Sequence, residues 1–277
     1  MNCRFCWPTL ILLGVAAACL PAADPKDEPI RPDKTIVLCN GKDLTGLHTW
    51  LKGSQRDDPK KVFTVHDGMI HASGEDNGYV STDKEYQDYY LTVEYKWGQR
   101  TDGGKFVRNS GLLLNAVGPD GGANGTWMSS VECQLAQGCA GDLIVIRGKD
   151  EKGETIPVRL SSDVVIGPDK RPRWSSEGGK RQEFTNRQLW WNKHDPDFKE
   201  LLDTRGRHDV ESPLGEWTKI EVVADGARLS VFVNGKQVNE AYDLSPASGK
   251  ILLQCEGFEV FFRKFELRPL KKAEEKK

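Results

Sequence analysis

YYLTVEYKW, residues 89–97, is the stretch of sequence that decides the fold. Its odd-numbered positions are all apolar or aromatic, and they alternate with Tyr90, Thr92, Glu94 and Lys96. Successive side chains of a β-strand point to opposite faces, so a period of two indicates a strand with one buried face. Residues 89–97 are therefore predicted to form a strand that covers a core.

The same alternation returns along the chain, bounded by turn residues. Asn234-Gly235 follows residues 229–233, and Asp67-Gly68 separates two short runs of strand type, which is typical of tight hairpins. Because no amphipathic helix separates the strands, the sequence predicts an all-β fold, a two-sheet antiparallel β-sandwich with long loops. A closed barrel is the alternative. Further candidate strands are 35–39, 110–115, 130–135, 142–146, 217–224, 250–255 and 259–267.

Three segments lack the strand pattern. Residues 98–108 and 117–127 are glycine-rich, and they flank Asn109-Ser110-Gly111. The longest irregular segment is 168–213, which carries Trp174, Trp190 and Trp191. Long loops inside a compact domain are usually functional or disordered, and three tryptophans argue against disorder.

Composition sets the broad class of the protein. With 38% hydrophobic residues, a chain of 277 residues can bury one sizeable core. Lys and Arg total 39 against 41 for Asp and Glu, and no long basic stretch interrupts the folded part. The chain thus lacks the electrostatic footprint of a nucleic-acid-binding protein, and a neutral ligand such as a sugar fits better.

The two ends differ in character from the middle. Residues 1–23 are interpreted as a signal peptide, since Arg4 precedes an apolar run that ends in small residues and is too short for a transmembrane helix. The expected localisation is therefore exported, either periplasmic or extracellular, with a lipoprotein anchored at Cys19 as the alternative. Residues 24–34 are expected to be a linker, 35–270 a single domain and 271–277 a charged tail.

Four cysteines lie outside the signal: Cys39, Cys133, Cys139 and Cys255. Export permits disulfides, and four cysteines allow three pairings. Because most of them lie in apolar strand patterns, buried free thiols are the favoured interpretation. No pair has CxxC spacing, which argues against a structural zinc site and against thiol redox chemistry.

The clearest candidate site lies in VECQL, residues 131–135. Its apolar residues share one strand face, so Glu132 and Gln134 project together from the other face. Gln254 and Glu256 repeat the pattern further along the chain. A carboxylate beside an amide suits sugar hydroxyls, although an ordinary solvated sheet face would give the same pattern.

Arg263 is unusual because it falls among Phe261, Phe265 and Leu267 on one predicted strand face. A buried charge is costly without a partner, so Glu132 or Glu256 is expected to pair with it. The pair would either bind substrate or be purely structural.

Histidines and tryptophans supply weaker candidates. His194 and His208 lack the spacing of a metal motif and are expected to be solvated loop residues. No cofactor is required by the sequence. Binding of a divalent cation stays an alternative, because Asp142 and Glu132 offer hard oxygen ligands. The pair Trp190-Trp191 is predicted either to stack on a sugar ring or to pin the long loop to the sandwich.

A set of phrases in order resembles the 3-keto-disaccharide hydrolase family, also called DUF1080. The departures from its motifs are Leu47, Thr218 and Lys264, where the family has Trp, Asn and Asn. The phrases are LCNGKDLTG (38–46), NSG (109–111), ECQ (132–134), GEWT (215–218), VNG (233–235), LQCEG (253–257) and FRKF (262–265).

The resemblance implies a concanavalin A-like jelly roll that acts on disaccharides or glycosides oxidised at the sugar C3. The ketone acidifies the C2–H, so the glycosidic bond can break by elimination, which needs a base, donors to the enolate and an acid. Glu132 is the expected base, Arg263 and Gln134 are expected donors, His208 or His194 the expected acid, and Asn109 a substrate-binding residue. A two-carboxylate glycosidase using Glu132 and Glu256, and a non-catalytic carbohydrate-binding module, are the alternatives. The sugar, its linkage and the oligomeric state stay open.

Overall fold

The computed structural model describes residues 28–270, and within them the chain forms strands and loops but no helix. The predicted signal peptide, the lipoprotein cysteine, the first residues of the predicted linker and the charged tail lie outside the described residues. Across 28–270, no helix is long and apolar enough to cross a membrane.

Eighteen strands follow one another along the described chain. They are β1 (Ile36–Val37), β2 (Leu47–Leu51), β3 (Phe63–His66), β4 (Met69–Ala72), β5 (Asn77–Thr82), β6 (Tyr89–Trp97), β7 (Gly111–Val117), β8 (Ser129–Gln134), β9 (Leu143–Ile146), β10 (Arg159–Ile166), β11 (Pro172–Trp174), β12 (Lys180–Phe184), β13 (Gln188–Leu189), β14 (Thr218–Asp225), β15 (Arg228–Val233), β16 (Lys236–Ser245), β17 (Lys250–Glu256) and β18 (Val260–Pro269).

The strands form two separate antiparallel sheets. One has eleven strands in the order β11-β10-β16-β15-β14-β6-β18-β4-β3, with β1 paired to β18 and β12 to β10. The other has seven strands in the order β13-β9-β8-β7-β17-β5-β2. The chain passes repeatedly from one sheet to the other, as in a jelly roll. The predicted two-sheet sandwich is confirmed, and the closed barrel is wrong because the strands form two sheets.

The core lies between the two sheets and is built by the alternation seen in the sequence. All odd-numbered residues of β6, from Tyr89 to Trp97, are buried in it. Val131 and Cys133 of β8 and Leu253 of β17 meet them from the seven-stranded sheet. Each fully buried aliphatic side chain contributes roughly 1.5–3 kcal/mol.

Both predicted hairpin turns are confirmed. Asp67 and Gly68 join β3 to β4 with φ angles of 52° and 76°, and Asn234 and Gly235 join β15 to β16 with 49° and 77°. Two successive residues in the left-handed region match the twist of a two-residue hairpin, and Asn, Asp and Gly adopt it at least cost.

The segment 168–213 is more ordered than predicted. It contains β11, β12 and β13, and Trp174 and Trp191 are buried in the core. These strands are two to five residues long, too short for a periodic pattern, and they form because β9 and β10 provide edges for them to pair with.

All four described cysteines are free thiols. Cys133, Cys139 and Cys255 are buried and Cys39 is half-buried, so the favoured interpretation is confirmed for three of them. Burial raises the pKa of each thiol, to about 11 for Cys255. Thiols of this kind are packing groups rather than nucleophiles.

One carboxyl, that of Glu211, is buried against the core aromatics. Its Oε1 accepts hydrogen bonds from the Tyr95 hydroxyl at 2.8 Å and from Trp97 Nε1 at 2.6 Å. Burial and the nearby charge of Asp209 raise the pKa of Glu211 to about 8. The carboxyl therefore holds its proton in the folded protein well above the pH at which the unfolded chain releases it.

Glu211 should make stability fall as the pH rises. A raised folded-state pKa gives stability that is complete below the unfolded value near 4.5 and is lost as the pH rises through about 8. We expect the wild-type protein to lose at least about 1.4 kcal/mol more than Glu211→Gln between pH 5 and pH 9, the equivalent of one pKa unit. Urea unfolding of both proteins at the two pH values measures this. Parallel losses would contradict it.

Candidate functional site

The candidate site lies on the face of the seven-stranded sheet that points away from the core, called here the outer face. Val131 and Cys133 of β8 point into the core, and so do Leu253 and Cys255 of β17. The residues between and beyond them project from the outer face, as strand parity predicted. They are Glu132, Gln134, Gln254 and Glu256.

Gly111 forms a gap between these side chains. It pairs with Gln134 in β7–β8 register, and a Cβ added to it would lie 2.3 Å from Glu132 Oε1 and 2.4 Å from Gln254 Oε1. Real Cβ atoms do not approach other atoms so closely. A glycine at 111 therefore lets the carboxyl of Glu132 and the amide of Gln254 meet above the strand between them.

Three buried oxygens in this group have no hydrogen-bond donor among the described residues: Glu132 Oε1, Gln254 Oε1 and Asn109 Oδ1. Asn109 is fixed by its other amide atom, because its Nδ2 donates to Glu256 Oε2 at 2.8 Å. An unsatisfied buried acceptor costs about 1–3 kcal/mol. Three acceptors together favour a ligand that brings donors, such as sugar hydroxyls, or a cation.

The two carboxyls of the site titrate near neutrality. Burial raises the pKa of Glu132 to about 8, and the charge of Glu256 adds to the rise while Gln254 opposes it. Burial also raises the pKa of Glu256 to about 7. Because the charge of Glu256 acts on Glu132, the two groups titrate as a pair. Carboxyls tuned to this range are typical of proton-transfer sites.

Gln134 lies on the outer face as predicted, but its acceptor is already used. Its Oε1 accepts from the backbone N–H groups of Leu135 at 3.1 Å and Ala136 at 3.3 Å. Its amide NH2 is thereby left to donate to a ligand.

Arg263 is not at this site. Its Nε lies 2.6 Å from Glu94 Oε2, and its guanidinium stacks 3.9 Å from the ring centroid of Trp217. The predicted pairing with Glu132 or Glu256 is wrong because β18 belongs to the eleven-stranded sheet, whereas both carboxyls lie on the outer face of the other sheet. The register of β18 also shifts after Arg263, where Lys264 adopts a φ of 52°. The extra residue turns Arg263 outward from the eleven-stranded sheet, whereas Phe265 points into the core.

His208 is not brought to the site either. It is exposed and lines a cavity with Lys193, Arg207 and Lys236 that includes none of the outer-face residues named above. Its predicted role as the acid therefore has no geometric support.

His194 is buried rather than solvated, so that expectation is wrong. Its Nδ1 lies 3.2 Å from the Gly138 carbonyl oxygen and its Nε2 lies 3.1 Å from Arg171 Nη1. Burial lowers the pKa of His194 to about 4. Its imidazole is neutral at physiological pH and has no proton to give as an imidazolium acid.

His194 belongs to a buried group with Cys139 and Asp142, whose metal-ligating atoms lie within 4.8 Å of one another. Asp142 is already engaged, since Trp191 N and Gln188 Nε2 each donate to it at 2.6 Å. With Arg171 beside the imidazole as well, the group suits an anchor for the long loop better than a cation. Glu132 is not part of this group.

The two neighbouring tryptophans take different places. Trp191 is buried in the core and donates from Nε1 to the Gly138 carbonyl at 3.1 Å, so it pins the loop to the sandwich. Trp190 is half-buried and lines a surface cavity.

A cluster of hydrogen-bonded polar side chains at the other end of the outer face was not predicted from the sequence. Asp120 accepts from the Tyr79 hydroxyl at 2.7 Å and from Arg56 at 2.6 Å, and His48 Nε2 lies 3.3 Å away. Trp50 Nε1 donates to the Gly125 carbonyl at 3.2 Å. These bonds clamp the glycine-rich segment 117–127 over β2 and β5. The alternation in Leu47–Leu51 was the available signal, since it places His48 and Trp50 on one strand face.

Gly111→Ala should separate site geometry from folding. The φ of Gly111 is not in the left-handed region and the atoms in the way are ends of side chains, so we expect a folded protein with the carboxyl of Glu132 displaced. Activity should fall at least about 100-fold, as misplacement of catalytic groups commonly costs. Gly53→Ala is the control, because its added Cβ would come no closer than 3.7 Å to Asp76. Turnover assays with melting curves decide, and equal activity of the two variants would contradict the role of the gap.

A two-sheet sandwich with paired carboxyls and amides grouped on one sheet face is typical of the carbohydrate-active, glycosidase-like class. The chain belongs to the family described as the 3-keto-alpha-glucoside-1,2-lyase-like domain, whose family model matches residues 34–268. The predicted membership is thereby confirmed.

Other comparisons give more distant similarity. A candidate glycosyl hydrolase from Parabacteroides distasonis ATCC 8503 has a TM-score of 0.48 at 17% identity, covering 86% of this chain and 95% of that one. The carbohydrate-binding module CBM66 from Bacillus subtilis has a TM-score of 0.39 at 11% identity, covering 80% of this chain and 94% of that one. No curated protein matches the chain.

Proposed function

We propose that the protein cleaves 3-keto-disaccharides or 3-keto-glycosides by elimination across C1 and C2, followed by hydration. The observation that carries the proposal is the buried carboxyl of Glu132, which has a pKa raised to about 8 and an Oε1 without a donor above the gap at Gly111. A base is most effective when its pKa lies near the working pH. Family membership makes a 3-keto sugar the substrate of choice.

Glu132 would take the proton from C2 of the oxidised ring. The electron pair of the C2–H bond then forms the enolate of the C3 ketone, and its return expels the glycosidic oxygen from C1. The product is an unsaturated keto sugar, to which water adds: the hydroxyl bonds to C1 and a proton returns to C2. No net oxidant or reductant is consumed.

Glu256 takes the place that sequence reasoning gave to a histidine. Its carboxyl is held by Asn109 Nδ2 and its charge acts on Glu132, so the two groups belong to one site. With a pKa raised to about 7, a protonated Glu256 can donate to the leaving oxygen. The Gln134 NH2 and the amide of Gln254 are the remaining polar groups for the enolate and for the hydroxyls, in place of Arg263.

A classical glycoside hydrolase is the second candidate, because the two coupled carboxyls on one face are also what that chemistry needs. In such an enzyme Glu132 and Glu256 would act on an unoxidised sugar, and a ketone would bring no advantage.

One experiment separates the candidates. The purified protein is incubated with a 3-keto-disaccharide and with its unoxidised parent, and sugar release is followed. We expect release from the keto form alone. Equal release from both would favour the glycoside hydrolase, and binding of both without release would favour a carbohydrate-binding module.

A further inference from the structure

A cavity of 260 Å³ lies at the β13 edge of the seven-stranded sheet. We call it the Trp190 groove; it is lined by Trp190, Gln188, Gln182, Arg187, Lys170 and Ile166, among others. None of the lining residues is acidic. The groove therefore differs from the carboxyl-rich surface above Gly111.

The Trp190 groove adjoins the Glu132 row through the sheet register. Glu132 pairs with Ile144 in β8–β9, and Ile144 pairs with Gln188 in β9–β13. Two strand spacings place Gln188 about 10 Å from Glu132 along the sheet. Leu189 points into the core, so Gln188 projects from the same outer face as Glu132. That separation is within the span of a disaccharide.

Trp190 is held rigidly at this place. Its backbone N–H donates to the Pro172 carbonyl and its carbonyl accepts from Trp174 N–H, each at 3.1 Å. The guanidinium of Arg171 lies 5.1 Å from its ring centroid. A ring fixed before binding loses little entropy when a ligand packs on it.

Polar groups around the ring suit hydroxyls. Gln188 Nε2 donates to Asp142 Oδ2 at 2.6 Å, which leaves its Oε1 to accept from a ligand. Within residues 28–270, neither Lys170 nor Arg187 forms an ion pair, so both can donate. An aromatic ring with a few placed polar groups is the usual composition of a small-ligand site.

We propose that the Trp190 groove binds the second sugar ring, the leaving group of a disaccharide whose keto ring lies beside Glu132. The inference rests on the proposed function for the position of the keto ring. If the groove binds a sugar ring, the preferred substrates are glycosides whose leaving group is a sugar rather than a small alkyl group.

The test compares leaving groups in Trp190→Ala. The substrates are 3-ketotrehalose and 3-ketocellobiose against the 3-keto methyl α- and β-glucosides. We expect kcat/KM to fall about tenfold more for the disaccharide of the preferred anomer than for its methyl glycoside, a loss typical of removing a buried aromatic anchor. Trp190→Phe should restore part of the difference. The matched control is Trp217→Ala, since Trp217 packs under Arg263 on the eleven-stranded sheet.

Other outcomes are decisive as well. Equal losses on both kinds of substrate, or a similar selective loss in Trp217→Ala, would contradict binding of the leaving sugar in the Trp190 groove. If the wild-type protein turns over neither substrate, the proposed function fails, and calorimetric titration with the same keto disaccharides decides on the groove separately. Weaker disaccharide binding by Trp190→Ala, but not by Trp217→Ala, would then support sugar binding in the Trp190 groove. Unchanged binding by Trp190→Ala would contradict it.

Discussion

Glu132→Gln should reduce kcat on a 3-keto-disaccharide by about 10²–10⁴-fold, the range that a general base contributes. The change keeps the size of the side chain and its polar end but removes the basic oxygen. Proton removal from C2 occurs only along the reaction path, so binding of the substrate should stay within about tenfold of the wild-type value. Single-turnover assays and calorimetric titration measure the two effects separately.

The loss of turnover in Glu132→Gln should not result from a less stable fold. The pKa of Glu132 is raised to about 8 in the folded protein, so the wild-type carboxyl loses its stabilising contribution as the pH rises from about 4.5 through about 8. The glutamine does not ionise. Between pH 5 and pH 9 we therefore expect the free energy of unfolding of the wild-type protein to fall by more than that of the variant. Glu221→Gln, the same change at a residue that accepts from the Tyr90 hydroxyl on the eleven-stranded sheet, is the control. Turnover by Glu132→Gln equal to that of Glu221→Gln would remove Glu132 from the role of base.

Strand parity was the part of the site that could be read from the sequence. The alternation in 131–135 and 253–257 places Glu132, Gln134, Gln254 and Glu256 on one face wherever the strands pair, because the period of a strand is two. The alternation does not specify which strand lies beside β8 and β17. The gap at Gly111 depends on β7 lying between β8 and β17, and that order comes from the whole fold.

Arg263 shows where parity fails. A single residue in the left-handed region, Lys264, changes which side chains face the core in the second half of β18. Lysine has no preference for such a conformation, so the sequence gives no sign of the bulge. The loop residues fail for another reason: nothing local determines where His208 and His194 lie relative to strands far away in the chain.

The strands missed by pattern alone are of a similar kind. β10 and β16 carry polar residues at buried positions, such as Ser162, Asn239 and Glu240. These are satisfied across the sheet and by nearby loops: Ser162 donates to the Glu240 carbonyl at 2.6 Å, and Asn239 donates to the Gly141 carbonyl at 3.1 Å. Burial of this sort depends on tertiary partners, which composition and periodicity do not specify.

Glu256→Gln should lose activity in proportion to how poor the leaving group is. An acid matters only when the departing oxygen needs a proton, so a sugar leaving group should suffer a loss of about 10²-fold or more in kcat/KM. A 4-nitrophenolate leaves without protonation, and for the 3-keto 4-nitrophenyl glycoside we expect a loss of only a few-fold. The comparison of the two substrates on one variant cancels any general disturbance of the site.

The pH profile should change in the same variant. In the wild-type protein the active form has Glu132 ionised and Glu256 protonated, which is the minor of the two one-proton forms because the pKa of Glu132 is the higher one. Its population follows that of the one-proton pair, so kcat/KM should still peak between about pH 7 and pH 8. Without Glu256 the falling limb on the alkaline side should vanish for the nitrophenyl substrate. The acid limb should remain near its wild-type position, because Glu256 is uncharged both in the doubly protonated pair and in the active form. Equal losses on both substrates would assign Glu256 to sugar binding instead, since a binding group does not distinguish a good leaving group from a poor one.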